Sequence, residues 1–198
     1  MPITPDTTQP DMQRKVADFH RALGATVGET PAYRDRQLRI TVIAEEVEEV
    51  CESLAERDLA NLIKEICDLL YVVYGTGVAF GVSLPSRLDD PRPVSGTPRL
   101  LVIGLAEKRL RKGVTQALGA IANKPLPVSV QALRHVLNII ESWLWLWRIP
   151  LADFFDLVHE SNMAKLGGPL RSDGKILKPA GWQPPLIAEQ LEKLISSY

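Results

Sequence analysis

Five carboxylates stand out in the first half of the chain. "AEEVEEV" carries Glu45, Glu46 and Glu49, and "KEICDLLYVV" carries Glu65 and Asp68, three apart. At 100° per residue on an α-helix, the three glutamates fall within an arc of about 100°. Glu65 and Asp68 share one face of their own helix. Such a cluster suits a hard cation, since Mg²⁺ takes oxygen ligands and commonly combines carboxylates with substrate phosphates. Taken alone, the glutamate helix would look the same as a solvated face, because its apolar residues lie largely opposite and Glu52 and Glu56 extend the acidic stripe. The second pair decides the matter. From Leu62 to Phe80 the only charged residues are Lys64, Glu65 and Asp68. A helix apolar nearly all round is buried, and buried carboxylates are costly unless paired, protonated or bound to metal. No arginine lies in that helix to neutralise them. If the two helices form an antiparallel hairpin, five acids converge and repel one another unless cations join them. Mg²⁺ or Mn²⁺ would answer that need. A di-iron site would require Glu-x-x-His pairs, and none occurs among these acids.

The elements that must position these acids read as helices throughout. "DMQRKVADFHRALG" is helical from Asp11, with Gly24 as its stop. A second helix runs from about residue 34 to 57, with Ile40, Ile43, Val47, Val50 and Leu54 on one side, and a third from about 59 to 82. "SLPSRLDDPRPVSGTP" breaks the chain. A fourth helix is expected over 99–122, a fifth over 129–147 and a short sixth over 151–166, followed by loop and a last helical tail. No stretch alternates long enough for a strand, so the fold class expected is an all-α helical bundle. Residues 1–10 read as a flexible tail and 11–198 as a single domain.

The middle of the chain resembles the front. "RITVIAEEVEE" (39–49) lines up with "RLLVIGLAEKR" (99–109), and "VAFGVSL" with "LWRIPL". The offset rises from 60 to 67, a change that a longer loop around "NKPLPVSV" would absorb. Glu45, Glu46 and Glu49 then fall on Leu105, Ala106 and Arg109, and Glu65 and Asp68 on Ala132 and His135. Residues 85–148 would be a degenerate second helix pair that keeps the packing and loses the acids.

Composition narrows the function classes. The 198 residues are 45% hydrophobic and 24% charged, with a net charge of −1, so no basic field invites a nucleic acid polymer. No run is apolar and long enough for a membrane span, and the N-terminus lacks a signal core. Cys51 and Cys67 sit in apolar helical patterns and read as buried free thiols, which fits a cytoplasmic protein.

The order and spacing of the motifs carry a family resemblance. "EEVEE", fifteen residues, then "EICD" resembles the EExxE…ExxD signature of the all-α nucleoside triphosphate pyrophosphohydrolases. This is the MazG-like superfamily, which includes dimeric dUTPases and phosphoribosyl-ATP pyrophosphohydrolases. "VHESNMAKLGGPLRSDGKILKPAGWQPP" (158–185) is similar to the ending of a MazG-like branch with dUTP-preferring bacterial members, and "FHRALG" (19–24) to its beginning. The resemblance implies a Mg²⁺-dependent hydrolase acting on acid anhydrides, converting an NTP or dNTP to monophosphate and pyrophosphate. It implies Glu45, Glu49, Glu65 and Asp68 as metal ligands. Glu46 is implied as general base and further metal contact. Asn162 and Lys165 match an NxxK element, with Arg171, Lys175 and Lys178 as loop cations able to fold over phosphates. A homodimer is expected, as is usual in that superfamily.

Other residues keep plainer readings. His20 is expected to pack or cap, with a nucleotide contact implied only by the resemblance. Trp143, Trp145 and Trp147 read as core or subunit-interface packing, "EKRLRK" (107–112) as a solvated basic face, and Trp182 as a pin for the C-terminal loop. Two competing functions remain open at this level: the phosphoribosyl-ATP step, disfavoured by the ending of the chain, and a catalytically silent helical scaffold, disfavoured by the buried acids.

Overall fold

The structure is a computed structural model, and it describes residues 11–28, 35–85, 103–147 and 149–196. The expected tail over residues 1–10 lies outside the described residues. Among those described there are seven helices and no strand: α1 (Asp11–Leu23), α2 (Arg36–Glu56), α3 (Leu59–Ala79), α4 (Ile103–Asn123), α5 (Leu126–Trp147), α6 (Leu151–Met163) and α7 (Ile187–Ser196). The all-α reading therefore holds. Among the described residues no helix is long and apolar enough to cross a membrane.

α3 is the centre of the bundle. It touches α1, α2, α5, α6 and α7, which is why its sequence is apolar nearly all round. Ile63, Ile66, Cys67, Leu69, Leu70, Val73 and Tyr74 have no exposed surface. Its start is set by Asp58, whose carboxylate accepts from the Asn61 amide at 3.0 Å, a helix N-cap. Its end comes at Ala79, three residues before the expected Val82. There Gly81 turns with φ +67°, and a Cβ on it would lie 2.9 Å from the Gly28 backbone. The loop after α1 crosses at that point and donates from the Gly28 amide to the Val78 carbonyl at 2.8 Å. Buried Gln13 of α1 clamps the same corner, donating to the Val82 carbonyl at 2.7 Å and accepting from the Leu84 amide at 2.8 Å.

α2 and α3 form an antiparallel hairpin turned by Arg57 and Asp58, and α4 and α5 form another turned by Lys124 and Pro125. α4 packs against α2. The longer loop expected at "NKPLPVSV" is not there, because the chain is helical again from Leu126. Both turns are two residues long, and α2, α3 and α4 are each 21 residues. One hairpin therefore lies on the other with a single offset of 67, carrying Glu56 to Asn123 and Leu59 to Leu126. Burial follows that register: Ile43, Val47, Val50 and Leu54 correspond to Leu110, Val114, Ala117 and Ile121, and all eight are buried. The offset of 60 read from the sequence for α2 is seven residues away. Seven residues are two helical turns and leave the apolar face almost unmoved. In the corrected register Glu45, Glu46 and Glu49 fall on Lys112, Gly113 and Gln116, while Glu65 and Asp68 keep Ala132 and His135.

Trp143 and Trp147 pack together in the interior, ring centroids 5.5 Å apart, whereas Trp145 is 70% exposed. Cys51 and Cys67 are buried free thiols, as expected.

Candidate active site

The hairpin of α2 and α3 brings three of the five acids into one cluster, with Glu45 paired instead to Lys175 and Arg171 and Asp68 to Lys64. Carboxylate oxygens of Glu46, Glu49 and Glu65 all lie within 4.8 Å of one another. Their environments differ. Glu46 and Glu65 are buried, and Glu49 is exposed. Lys64 is the counter-charge that the sequence reading overlooked: its ammonium lies 2.8 Å from Glu65 Oε1 and 3.0 Å from Asp68 Oδ2. The second oxygen of Glu65, Oε2, is buried with no hydrogen-bond partner. An orphaned buried carboxylate oxygen costs about 1–3 kcal/mol, and a bound cation is one way to relieve it. The all-oxygen donor set fits a hard divalent ion of the Mg²⁺ or Mn²⁺ class.

These surroundings shift the proton affinities. Burial, then the charges of Asp68 and Glu49, pushes Glu46 up to about 7 against the pull of Lys175. Burial likewise raises Glu65 to about 7, with Lys64 opposing and Asp68 and Glu49 adding to it. Glu45 goes the other way. Its partial burial is outweighed by hydrogen bonds from Lys175 and Arg171, and its carboxyl is held below the usual range.

The chain after α6 closes over this cluster. Lys175 Nζ donates to Glu45 Oε2 at 2.7 Å and to Glu46 Oε1 at 3.2 Å, and Arg171 reaches Glu45 at 2.9 Å. A tight turn aims both cations. Asp173 accepts from the Arg171 guanidinium at 2.9 and 2.6 Å and from the Lys175 amide at 3.1 Å. Asp173 is thereby held at about 2. Gly168 lets the two limbs of the loop meet, since a Cβ there would lie 2.3 Å from the Leu177 carbonyl oxygen. Asn162 is buried at the end of α6 and accepts from Lys165 Nζ at 2.6 Å. Trp182 pins the loop as expected, donating its indole N–H to the Ser161 carbonyl at 3.0 Å, and Lys178 sits 4.5 Å above its ring.

Beside the acids lies a cavity of about 340 Å³ whose wall includes Glu46, Asp68, Asn162, Lys165 and Lys175. Lys178 and Arg171 stand outside that wall. His20 stands in it. Its Nδ1 donates to the Thr26 carbonyl at 3.0 Å, leaving Nε2 3.5 Å from Arg39 Nη1. Burial, and then the Arg39 charge, lowers His20 to about 4, so the imidazole is neutral. Phe19 and Tyr71 form the aromatic part of the wall, ring centroids 5.5 Å apart. Tyr71 also hydrogen-bonds through its hydroxyl to His159 Nδ1 at 3.0 Å. Arg39 was not foreseen. It is 7% exposed and its Nε has no partner. The available signal was its spacing, seven residues before Glu46 and so on the same helix face.

In one comparison with known proteins, the chain is 27% identical over 146 residues to an uncharacterized protein of Acanthamoeba polyphaga mimivirus. That match covers 66% of this chain and 58% of the relative. The chain thus spans a little over half the length of the relative it matches. The second comparison bears on the site itself: residues 16–90, which include His20, Arg39 and all five acids, match the family model of the phosphoribosyl-ATP pyrophosphohydrolases.

Proposed function

We propose that the chain is a divalent-metal-dependent nucleotide pyrophosphohydrolase that converts an NTP or dNTP, with dUTP the first candidate, to the monophosphate and pyrophosphate. One observation carries this reading: three acids from two helices converge within 4.8 Å, one with an orphaned buried oxygen, beside a cavity edged by lysines. Glu45, Glu46, Glu49, Glu65 and Asp68 are the residues that would hold the metal. When bound, the metal offsets phosphate charge and makes a water more acidic. Glu46, with its proton affinity set near neutrality by burial, accepts the proton of the attacking water. Lys165 and Lys175 face the cavity and meet the phosphates, with Asn162 holding Lys165 in place. Arg171 and Lys178, at the edge, stabilise the departing pyrophosphate. Phe19, Tyr71 and neutral His20 offer the base an apolar wall with one polar group.

A second reading has an observation of its own, since the family matched over residues 16–90 is named for phosphoribosyl-ATP. A panel of NTPs, dNTPs and phosphoribosyl-ATP with Mg²⁺, followed by pyrophosphate release, separates the two. Turnover fastest on a triphosphate is expected. Turnover confined to phosphoribosyl-ATP establishes the alternative, and no release from any of them returns the chain to the scaffold reading.

A further inference from the structure

The hairpin of α4 and α5 repeats the pocket-forming face of α2 and α3 with the acids replaced. In the 67-residue register, Arg39, Val42, Glu46, Asp68, Tyr71 and Val72 of the first cavity correspond to Ala106, Arg109, Gly113, His135, Asn138 and Ile139. All six of the latter line a second cavity of about 580 Å³. Coincident lining at six positions makes the two cavities counterparts. At the acid positions the second one has Gly113 for Glu46, His135 for Asp68, Lys112 for Glu45 and Gln116 for Glu49, and Arg109 is added where the first has Val42.

Two cations, Arg109 and Lys112, therefore face one recess beside the His135 imidazole. No Asp or Glu is among its described lining residues. None of these three side chains has an ion pair or hydrogen bond to another described residue. The basic run "EKRLRK" is thus divided by function. Its Arg111 is spent on Glu48 at 2.6 Å and Glu107 at 2.9 Å, while Arg109 and Lys112 are left facing the cavity. Trp143 and Trp147 supply an apolar wall, and Asn138, Ser142 and Gln116 supply neutral hydrogen-bonding groups. A volume of this order is that of a small-molecule site. Without carboxylates the recess has no anionic ligand for a divalent cation, so an anion would be met directly by guanidinium and ammonium.

We propose that this cavity is a second ligand site that binds a phosphate-bearing small molecule of up to nucleotide size without metal. The proposal does not depend on the activity of the first site. Calorimetry in excess EDTA tests it on the intact chain, with pyrophosphate and AMP as separate probes. Saturable binding is expected in the wild type and in Lys175→Ala, which removes a cation from the first cavity. Affinity is expected to fall at least tenfold in Arg109→Ser/Lys112→Ser and in His135→Asp, all exposed positions, with helicity unchanged. Equal affinity for the two probes would mean that phosphate alone is recognised. Tighter AMP would mean that the indole wall takes the base. Absence of saturable binding of both probes by the wild type overturns the proposal, as does undiminished binding in the pocket variants.

Discussion

Glu46 and Glu65 are both buried glutamates of one cluster, yet their neighbours give them different work. Glu46 lines the first cavity, with Lys175 at 3.2 Å, whereas Glu65 is absent from that lining and keeps one buried carboxylate oxygen without a partner. Glu46→Gln keeps shape and hydrogen bonding but removes the carboxylate proposed as the base. It is expected to bind metal and nucleotide while turnover falls by a factor on the order of 10² to 10⁴. Glu65→Gln is expected to weaken metal binding itself, and calorimetry with Mg²⁺ and a non-hydrolysable nucleotide distinguishes the two. Near-normal turnover in Glu46→Gln removes it as the base. His20 offers a separate test through pH. Its folded-state pKa of about 4 lies below the ordinary histidine value of 6.5. The unfolded chain therefore takes up the proton first as pH falls. The stability this neutral histidine confers is complete above 6.5 and is lost as pH drops toward 4, by about 3 kcal/mol at most. Urea unfolding of wild type and His20→Asn between pH 7 and 4 should show the gap shrinking over that window, and parallel curves would refute it. The acids were legible at this scale because type and spacing mark them. Lys64 and Arg39 were not, because a lone basic residue in a helix carries no sign of which acid or cavity its side chain will face.

At the scale of elements, the cation-bearing loop and the acid-bearing hairpin are separable. The turn around Arg171, Asp173 and Lys175 depends on the close approach at Gly168, while the hairpin depends on the α3 core. Gly168→Ala is expected to weaken nucleotide binding at least tenfold with the melting temperature of the metal-free protein shifted by only a few degrees, read by calorimetry and circular dichroism. Unchanged nucleotide affinity would mean that the loop does not hold the phosphates. The helices themselves were largely readable. Apolar periodicity located all seven, and the ends of α1, α2 and α3 came within about three residues, the usual uncertainty of such boundaries. The end of α3 was overrun because the Gly28 crossing that terminates it is a tertiary contact. The register between hairpins was misread for a different reason. A slip of seven residues preserves the hydrophobic face, so only the equal two-residue turns at Arg57–Asp58 and Lys124–Pro125 settle it.

For the whole molecule, a central helix surrounded by five others buries most of the core, and large apolar side chains remain exposed on the second hairpin as well as on the C-terminal segment. On the second hairpin Trp145 is 70% exposed and Leu105 54%. A homodimer is expected, and a monomeric mass in sedimentation at micromolar concentration would count against it. Divalent cations that bind the folded acid cluster stabilise it by mass action, so Mg²⁺ or Mn²⁺ is expected to raise the melting temperature, and Asp68→Asn to blunt that rise. The central claim is that the same cations support hydrolysis at that cluster. Pyrophosphate release from a dNTP, followed across a Mg²⁺ titration beside the melting temperature of the same samples, tests it most directly. Both are expected to rise together in the wild type, with release abolished by EDTA and by Glu65→Gln. Release that persists in EDTA, or a metal-stabilised protein that yields no pyrophosphate from any nucleotide, would contradict the account.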